Sequence, residues 1–270
     1  MIALRPRRVA GIVLRQALLL RGSPARVLPL FAWVAIDIVL WGFISRYFNT
    51  VAGPRANLVP TLLGAVLLWD FLTRIMQGIT TAFFEDVWSR NFLNLFATPL
   101  TLGDYLTGLV GVGVASSLIG LVVMLALATG FFGLSFFDYG LAAIPFLMIL
   151  FLTGIALGVL GASIVLRLGP ASEWLIWPIP SLLVPFAGVY YPVATLPTWM
   201  QWISRVLAPS YVFEGLRAVV AGKGLQAGPL ALGGVLALAY VVLASVVFAA
   251  IYRYAIRSGL IARYSAETVN

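Results

Sequence analysis

Long apolar stretches separated by short polar ones set the pattern of this chain. Six of them, at about 27–48, 58–82, 105–129, 140–167, 174–193 and 229–252, come near the ~20 residues a helix needs to cross ~30 Å of hydrocarbon. In lipid a backbone must satisfy its own hydrogen bonds, and unbroken runs of this length predict helices rather than barrel strands. The first 26 residues follow a different pattern. Val9, Val13, Ala17 and Leu20 share one helical face and Arg7, Arg8, Arg15 and Arg21 lie opposite, with Leu14 and Leu18 intruding on the basic side. That spacing predicts a helix lying in the headgroup layer of an anionic leaflet. Arg15 interrupts the only apolar run that a signal peptide could use. The predicted fold is all-α and polytopic: an interfacial amphipathic helix (1–26), a six-helix transmembrane domain (27–253) and a short tail (254–270).

Composition narrows the function classes. Of 270 residues, 62% are hydrophobic and 10% charged, and the mean hydropathy is +1.04. Soluble domains run at about 45–50% apolar and about 25% charged. A soluble enzyme, a disordered tail and a nucleic-acid module are therefore excluded. The net charge of +8 comes from 17 cations, all arginine except Lys223. With the amino terminus inside, eleven cations flank the spans on the inner side and five on the outer, so both termini are expected in the cytoplasm. Cys and His are absent, which removes disulfides, thiol chemistry, haem ligation, zinc sites and the usual nucleophilic triads. No catalytic or metal-binding residue is singled out, and no cofactor is expected on this chain. There is no GxxxxGK[ST] phosphate loop, no internal repeat of the kind secondary carriers often show, and no sizeable soluble domain.

Four features could carry function. Between spans two and three, a helix over about 83–98 is expected to place Glu85, Asp86, Ser89 and Arg90 on one face and Phe84, Val87, Trp88 and Phe92 on another, with Pro99 ending it and Thr101 or Asp104 capping the next span. It either anchors the loop at the interface or presents its polar face to a cytoplasmic partner. Span five carries Pro178, Pro180 and Pro185, which predict breaks in the helix. Two short amphipathic pieces then form an outer re-entrant hairpin at about 194–217. Tyr190, Tyr191, Trp199, Trp202 and Tyr211 line it, either as an aromatic belt or as an outer gate on the substrate path. Asp37, Asp70 and Arg74 lie within spans, where a charge costs at least ~2.5–3.5 kcal/mol, so they should face protein or water. Asp70 and Arg74 are spaced to pair, and a structural ion pair, a proton path or a cargo contact each fits them. Finally, Gly154-x-x-x-Gly158 in span four, with Gly111, Gly113 and Ser116 beginning similar spacings in span three, permits close helix packing or a dimer seam.

The ensemble resembles the ABC-2 type permeases, the membrane subunits of bacterial ATP-driven exporters. The most specific stretches are Leu95-Phe96-Ala97-Thr98-Pro99-Leu100 continuing to Gly103-Asp104-Tyr105, and Tyr191-Pro192 through Leu196-Pro197-Thr198-Trp199, followed by Pro209, Glu214 and Arg217. The family's Glu-rich run ahead of the Thr-Pro is reduced here to Glu85, Asp86 and Arg90. The resemblance implies a bacterial inner-membrane permease dimer, a homodimer rather than a heterodimer, bound to two ABC ATPase subunits that carry the ATP and Mg. Glu85, Asp86, Ser89 and Arg90 would then be ATPase-coupling residues, and the cargo an amphipathic, lipid-like or glycan-linked molecule exported across the membrane. Two other classes remain: a proton-coupled carrier using Asp37 and Asp70, and a non-transport intramembrane enzyme or scaffold.

Overall fold

The computed structural model describes residues 5–21, 24–52, 59–89, 95, 98–134, 139–140 and 143–260. Its regular structure is helical throughout: α1 (Pro6–Arg21), α2 (Pro24–Ala52), α3 (Gly64–Trp88), α4 (Leu102–Phe132), α5 (Ala143–Leu168), α6 (Ile179–Ala187), α7 (Thr198–Val206), α8 (Ala208–Val220) and α9 (Ala227–Arg257). Among the described residues, four helices have the length and apolar composition to cross a membrane: Val59–Trp88, Leu102–Phe132, Ala143–Leu168 and Ala227–Arg257. The first of these is α3 with a preceding wide turn, Val59–Leu63. The 29 residues of α2 reach about 44 Å at about 1.5 Å per residue. Arg26 belongs to the first turn of α2, so the leader ends earlier than expected, and α9 extends beyond the expected border at residue 253.

Residues 174–193, expected as one span, do not form a continuous rod. A tight-turned stretch (Pro170–Leu175) and a turn precede α6, whose nine residues reach only about 14 Å. The cause is local: Pro178 and Pro180 bracket the start of α6 and Pro185 lies inside it, each lacking a backbone donor. Gly188, at φ 63°, closes its end in the left-handed conformation. At the other extreme α4 starts sharply. Asp104 N–H donates to Thr101 Oγ1 at 3.1 Å and Thr101 N–H to Asp104 Oδ2 at 3.3 Å, a reciprocal cap at the position the sequence indicated.

α3 is the centre of the bundle. Leu68, Leu72, Ile75, Met76, Ile79 and Phe83 are buried between α4 on one side and α5 on the other, while α9 packs on α5 and α2 on α4. Small residues make this possible. A Cβ on Gly113 of α4 would stand 2.6 Å from Ile79 Cγ1, and one on Gly154 of α5 would stand 2.8 Å from both Ile75 Cβ and Leu72 O. The glycine faces therefore seat α3 within one chain, and Gly154 and Gly158 are occupied by it rather than offered to a second copy. α3, α5 and α9 run in one direction and α4 returns, so Trp88, Leu168, Arg257 and the start of α4 share one end of the bundle with α1. The chain leaves α5 at that end and enters α9 at the other, so residues 169–226 travel back in pieces.

Candidate functional site

At the α1 end, one helix is tied to two others. Gly108 and Gly111 of α4 leave a groove that Ile12 and Val13 fill. Gln16 is buried, and its Nε2 donates to Ala82 O of α3 at 3.4 Å. The Arg15 guanidinium forms an ion pair with Asp86, which is only 1% exposed. Asp86 Oδ2 also accepts from the hydroxyl of fully buried Tyr105 at 2.8 Å. A second anchor lies a few residues away. Asp104 Oδ1 accepts from Arg5 N–H at 2.9 Å, Arg8 stands 3.5 Å from Asp104 Oδ2, and Arg8 donates to Pro99 O. Two carboxylates at the ends of α3 and α4 thus hold α1 by its arginines.

This placement alters the expected coupling face. α3 continues to Trp88, so residues 83–88 are the last turns of a spanning helix rather than the start of a separate one. Thr98 and Pro99 form a turn, and between Ser89 and them only Leu95 is described. Asp86 points inward to Arg15 and Tyr105. Glu85 is half-buried, Ser89 is exposed with its Oγ 3.4 Å from Asp86 O, and Arg90 lies outside the described residues. The α1 wheel is also rotated from the expected one: Ile12 and Gln16 face protein, whereas Leu14, Ala17 and Leu18 face outward with Arg7 and Arg21. Arg15, Tyr105 and Gln16 were not singled out from sequence as site residues. The available signal was Asp86 itself, a carboxylate beside Phe83 and Phe84, in a half of the chain whose leader has arginines and no acid.

Inside the bundle, Asp37 of α2 and Asp70 and Arg74 of α3 lie within electrostatic reach of one another. Arg74 lies over Gly120 of α4, where a Cβ would be 3.0 Å from its Cδ. Asp70 Oδ2 is enclosed, and none of the described residues donates a hydrogen bond to it. Tyr190 comes within reach of both carboxylates and stacks on Trp41, with ring centroids 4.5 Å apart and planes 12° apart.

The five aromatic residues expected at the gate lie in different local settings. Tyr190 belongs with the intramembrane charges. Tyr191 donates to Pro185 O at 2.9 Å and Tyr211 to Arg205 O at 2.7 Å, each fixing a local turn. Trp199 and Trp202 of α7 are 60% and 61% exposed; the first meets Phe186 edge-on and the second carries the Arg205 guanidinium at 4.3 Å. Glu214 of α8 accepts from Val193 N–H at 2.7 Å and from Arg217 at 2.8 Å, pinning the segment ahead of α7 to α8. Ser204 Oγ donates to Phe186 O at 2.6 Å, and Ser210 Oγ to Ser204 O at 2.6 Å, so α6, α7 and α8 are stitched by hydroxyls.

Long apolar helices, a docked amphipathic leader and charges held between spans define a multi-pass membrane protein. The chain belongs to the ABC-2 type transporter family, whose profile matches residues 13–221, from within α1 to just past α8. Membership makes it an ABC permease subunit, of a kind that is generally non-catalytic and generally works with ABC ATPase partners. A search of curated proteins finds no match.

Proposed function

We propose that this chain is the membrane subunit of an ATP-driven exporter in a bacterial inner membrane, with both termini cytoplasmic. Two copies pair with two ATPase subunits that bind ATP and Mg, and the cargo is amphipathic, lipid-like or glycan-linked. The observation that carries the reading is the tie between α1 and the ends of α3 and α4, in a chain of this family. A push on the surface formed by α1, Glu85 and Ser89 moves two spanning helices together, because Asp86 and Asp104 lock α1 to both. Arg90 joins Glu85 and Ser89 as a residue that would meet the ATPase. In this scheme Asp86 is a positioning residue that keeps the lever stiff. At the opposite end the α6–α8 segment serves as the outer hairpin, with Trp199 and Trp202 at its surface; the packing of Tyr211 on Gly233 and Gly215 near Leu230 supports its dipping beside α9.

The test is reconstitution with the ATPase. In proteoliposomes, ATP should drive cargo across the bilayer, and Glu85→Ala with Ser89→Ala should lower cargo-stimulated ATP hydrolysis about tenfold without loss of folded protein. Cargo movement by the permease alone, without nucleotide, would overturn the proposal.

A further inference from the structure

The charges between α2 and α3 are unbalanced. Among the described residues there, two carboxylates, Asp37 and Asp70, face one guanidinium, Arg74, leaving one formal negative charge in excess. One acceptor also has no donor among the described residues, since Asp70 Oδ2 is enclosed without a hydrogen bond from any of them. Buried polar atoms are rarely left so, and the charge excess calls for a cationic donor. The neighbouring wall is aromatic. Trp41 lies one turn from Asp37 on the same face of α2 and stacks on Tyr190, which is itself near both carboxylates. Ring faces of Trp and Tyr attract cations. The place is also reachable, since Asp37 and Asp70 each keep part of their surface exposed.

We propose that this cluster binds the protonated amine of an amphipathic molecule. The ammonium donates to the Asp70 carboxylate, Asp37 adds attraction, the Trp41–Tyr190 pair covers the head, and the apolar tail follows α2 into the lipid. Calling that molecule cargo rests on the exporter reading; the site does not. A lone proton on Asp70 would cancel the charge, but it has no use for an aromatic wall.

Binding can be read without nucleotide or ATPase, on the purified chain in phosphatidylglycerol nanodiscs. The probes are a dansyl-tagged alkylamine and its N-acetylated counterpart, equal in tail and lacking the charge. The amine should bind at least about tenfold more tightly than the amide, a difference of about 1.4 kcal/mol. Asp70→Asn should abolish that preference and leave amide binding unchanged. Trp41→Leu should weaken amine binding about threefold or more, and Glu173→Gln, a carboxylate elsewhere in the chain, should keep the preference intact. Equal affinity for both probes in the native protein, or an unchanged preference in Asp70→Asn, overturns the site. Should Asp70→Asn fail to fold, Asp37→Asn and Trp41→Leu provide the same reading. Adding phosphatidylethanolamine separates two sources of the amine: displacement of the probe assigns the site to a lipid headgroup, retention to a free amphiphile, and both support it. If the preference holds while ATP-driven transport fails in the reconstituted complex, only the exporter reading falls. If transport works and the preference is absent, only the site falls.

Discussion

The Asp86 carboxylate serves two helices at once, one oxygen toward Arg15 of α1 and the other toward Tyr105 of α4. Removing Arg15 strands the buried Asp86 charge, at a cost on the order of 3 kcal/mol; removing Asp86 costs less because Arg15 is partly exposed, and replacing both by apolar groups is often near neutral. Arg15→Ala or Asp86→Ala should therefore loosen α1, and trypsin, which cuts after arginine, should release the leader at least about tenfold faster than from the native protein. Arg15→Met combined with Asp86→Leu should recover most of the protection. Native-like proteolysis of Asp86→Ala would show that the groove formed by Gly108 and Gly111 suffices to hold α1. The sequence marked Asp86 as important but suggested the opposite direction for its side chain. A helical wheel orders residues around one axis. It does not say that an arginine from a segment 71 positions away fills the space beside the carboxylate.

At the level of elements, five of the six apolar runs became long helices with ends a few residues from those expected, because length and continuity of apolar residues act locally. The fifth run failed as a rod for an equally local reason, its prolines. The orientation of α1 was less legible. Its apolar residues lie on both sides of the wheel, and the buried side is selected by the glycine groove of α4, roughly a hundred residues downstream. The glycine spacings could be recognised as packing faces, but their partner could not: α3 is identified only once the helices are assembled. A prediction follows from that seat. A Cβ added to Gly158 of α5 would stand 2.9 Å from Ile79 Cβ and 3.1 Å from Met76 O, so neither side chain nor backbone of α3 can yield cheaply. Gly158→Leu should destabilise the bundle by about 1–3 kcal/mol, seen as a lower thermal midpoint in detergent. The same change at Gly130, where an added Cβ would meet none of the described residues within 4 Å, should leave the midpoint nearly unchanged.

For the whole molecule, the helix directions impose one relation that charge counting alone leaves open. α1, the end of α3, the start of α4 and the ends of α5 and α9 lie together, whereas Tyr139, which donates to Pro60 O at 2.6 Å, marks the other end with Arg46 and Phe131. If the bundle crosses a bilayer, Ser89 and Ser258 must therefore share one compartment and Lys223 must face the other, whichever side is cytoplasmic. The chain has no native cysteine, so each introduced thiol is the only one a reagent can find. In sealed inside-out vesicles, a membrane-impermeant maleimide should label Ser89→Cys and Ser258→Cys and spare Lys223→Cys, and right-side-out vesicles should reverse the result. Labelling of Ser89 and Lys223 from the same side would contradict the return passage through residues 169–226. Labelling in the reversed sense would keep the fold, place α1 outside the cell and remove its surface from any cytoplasmic ATPase. The pieces between α5 and α9 decide this outcome: α6 is too short to cross alone, so the parity of the whole chain depends on α6, α7 and α8 acting as one stitched unit held by Ser204, Ser210 and Glu214.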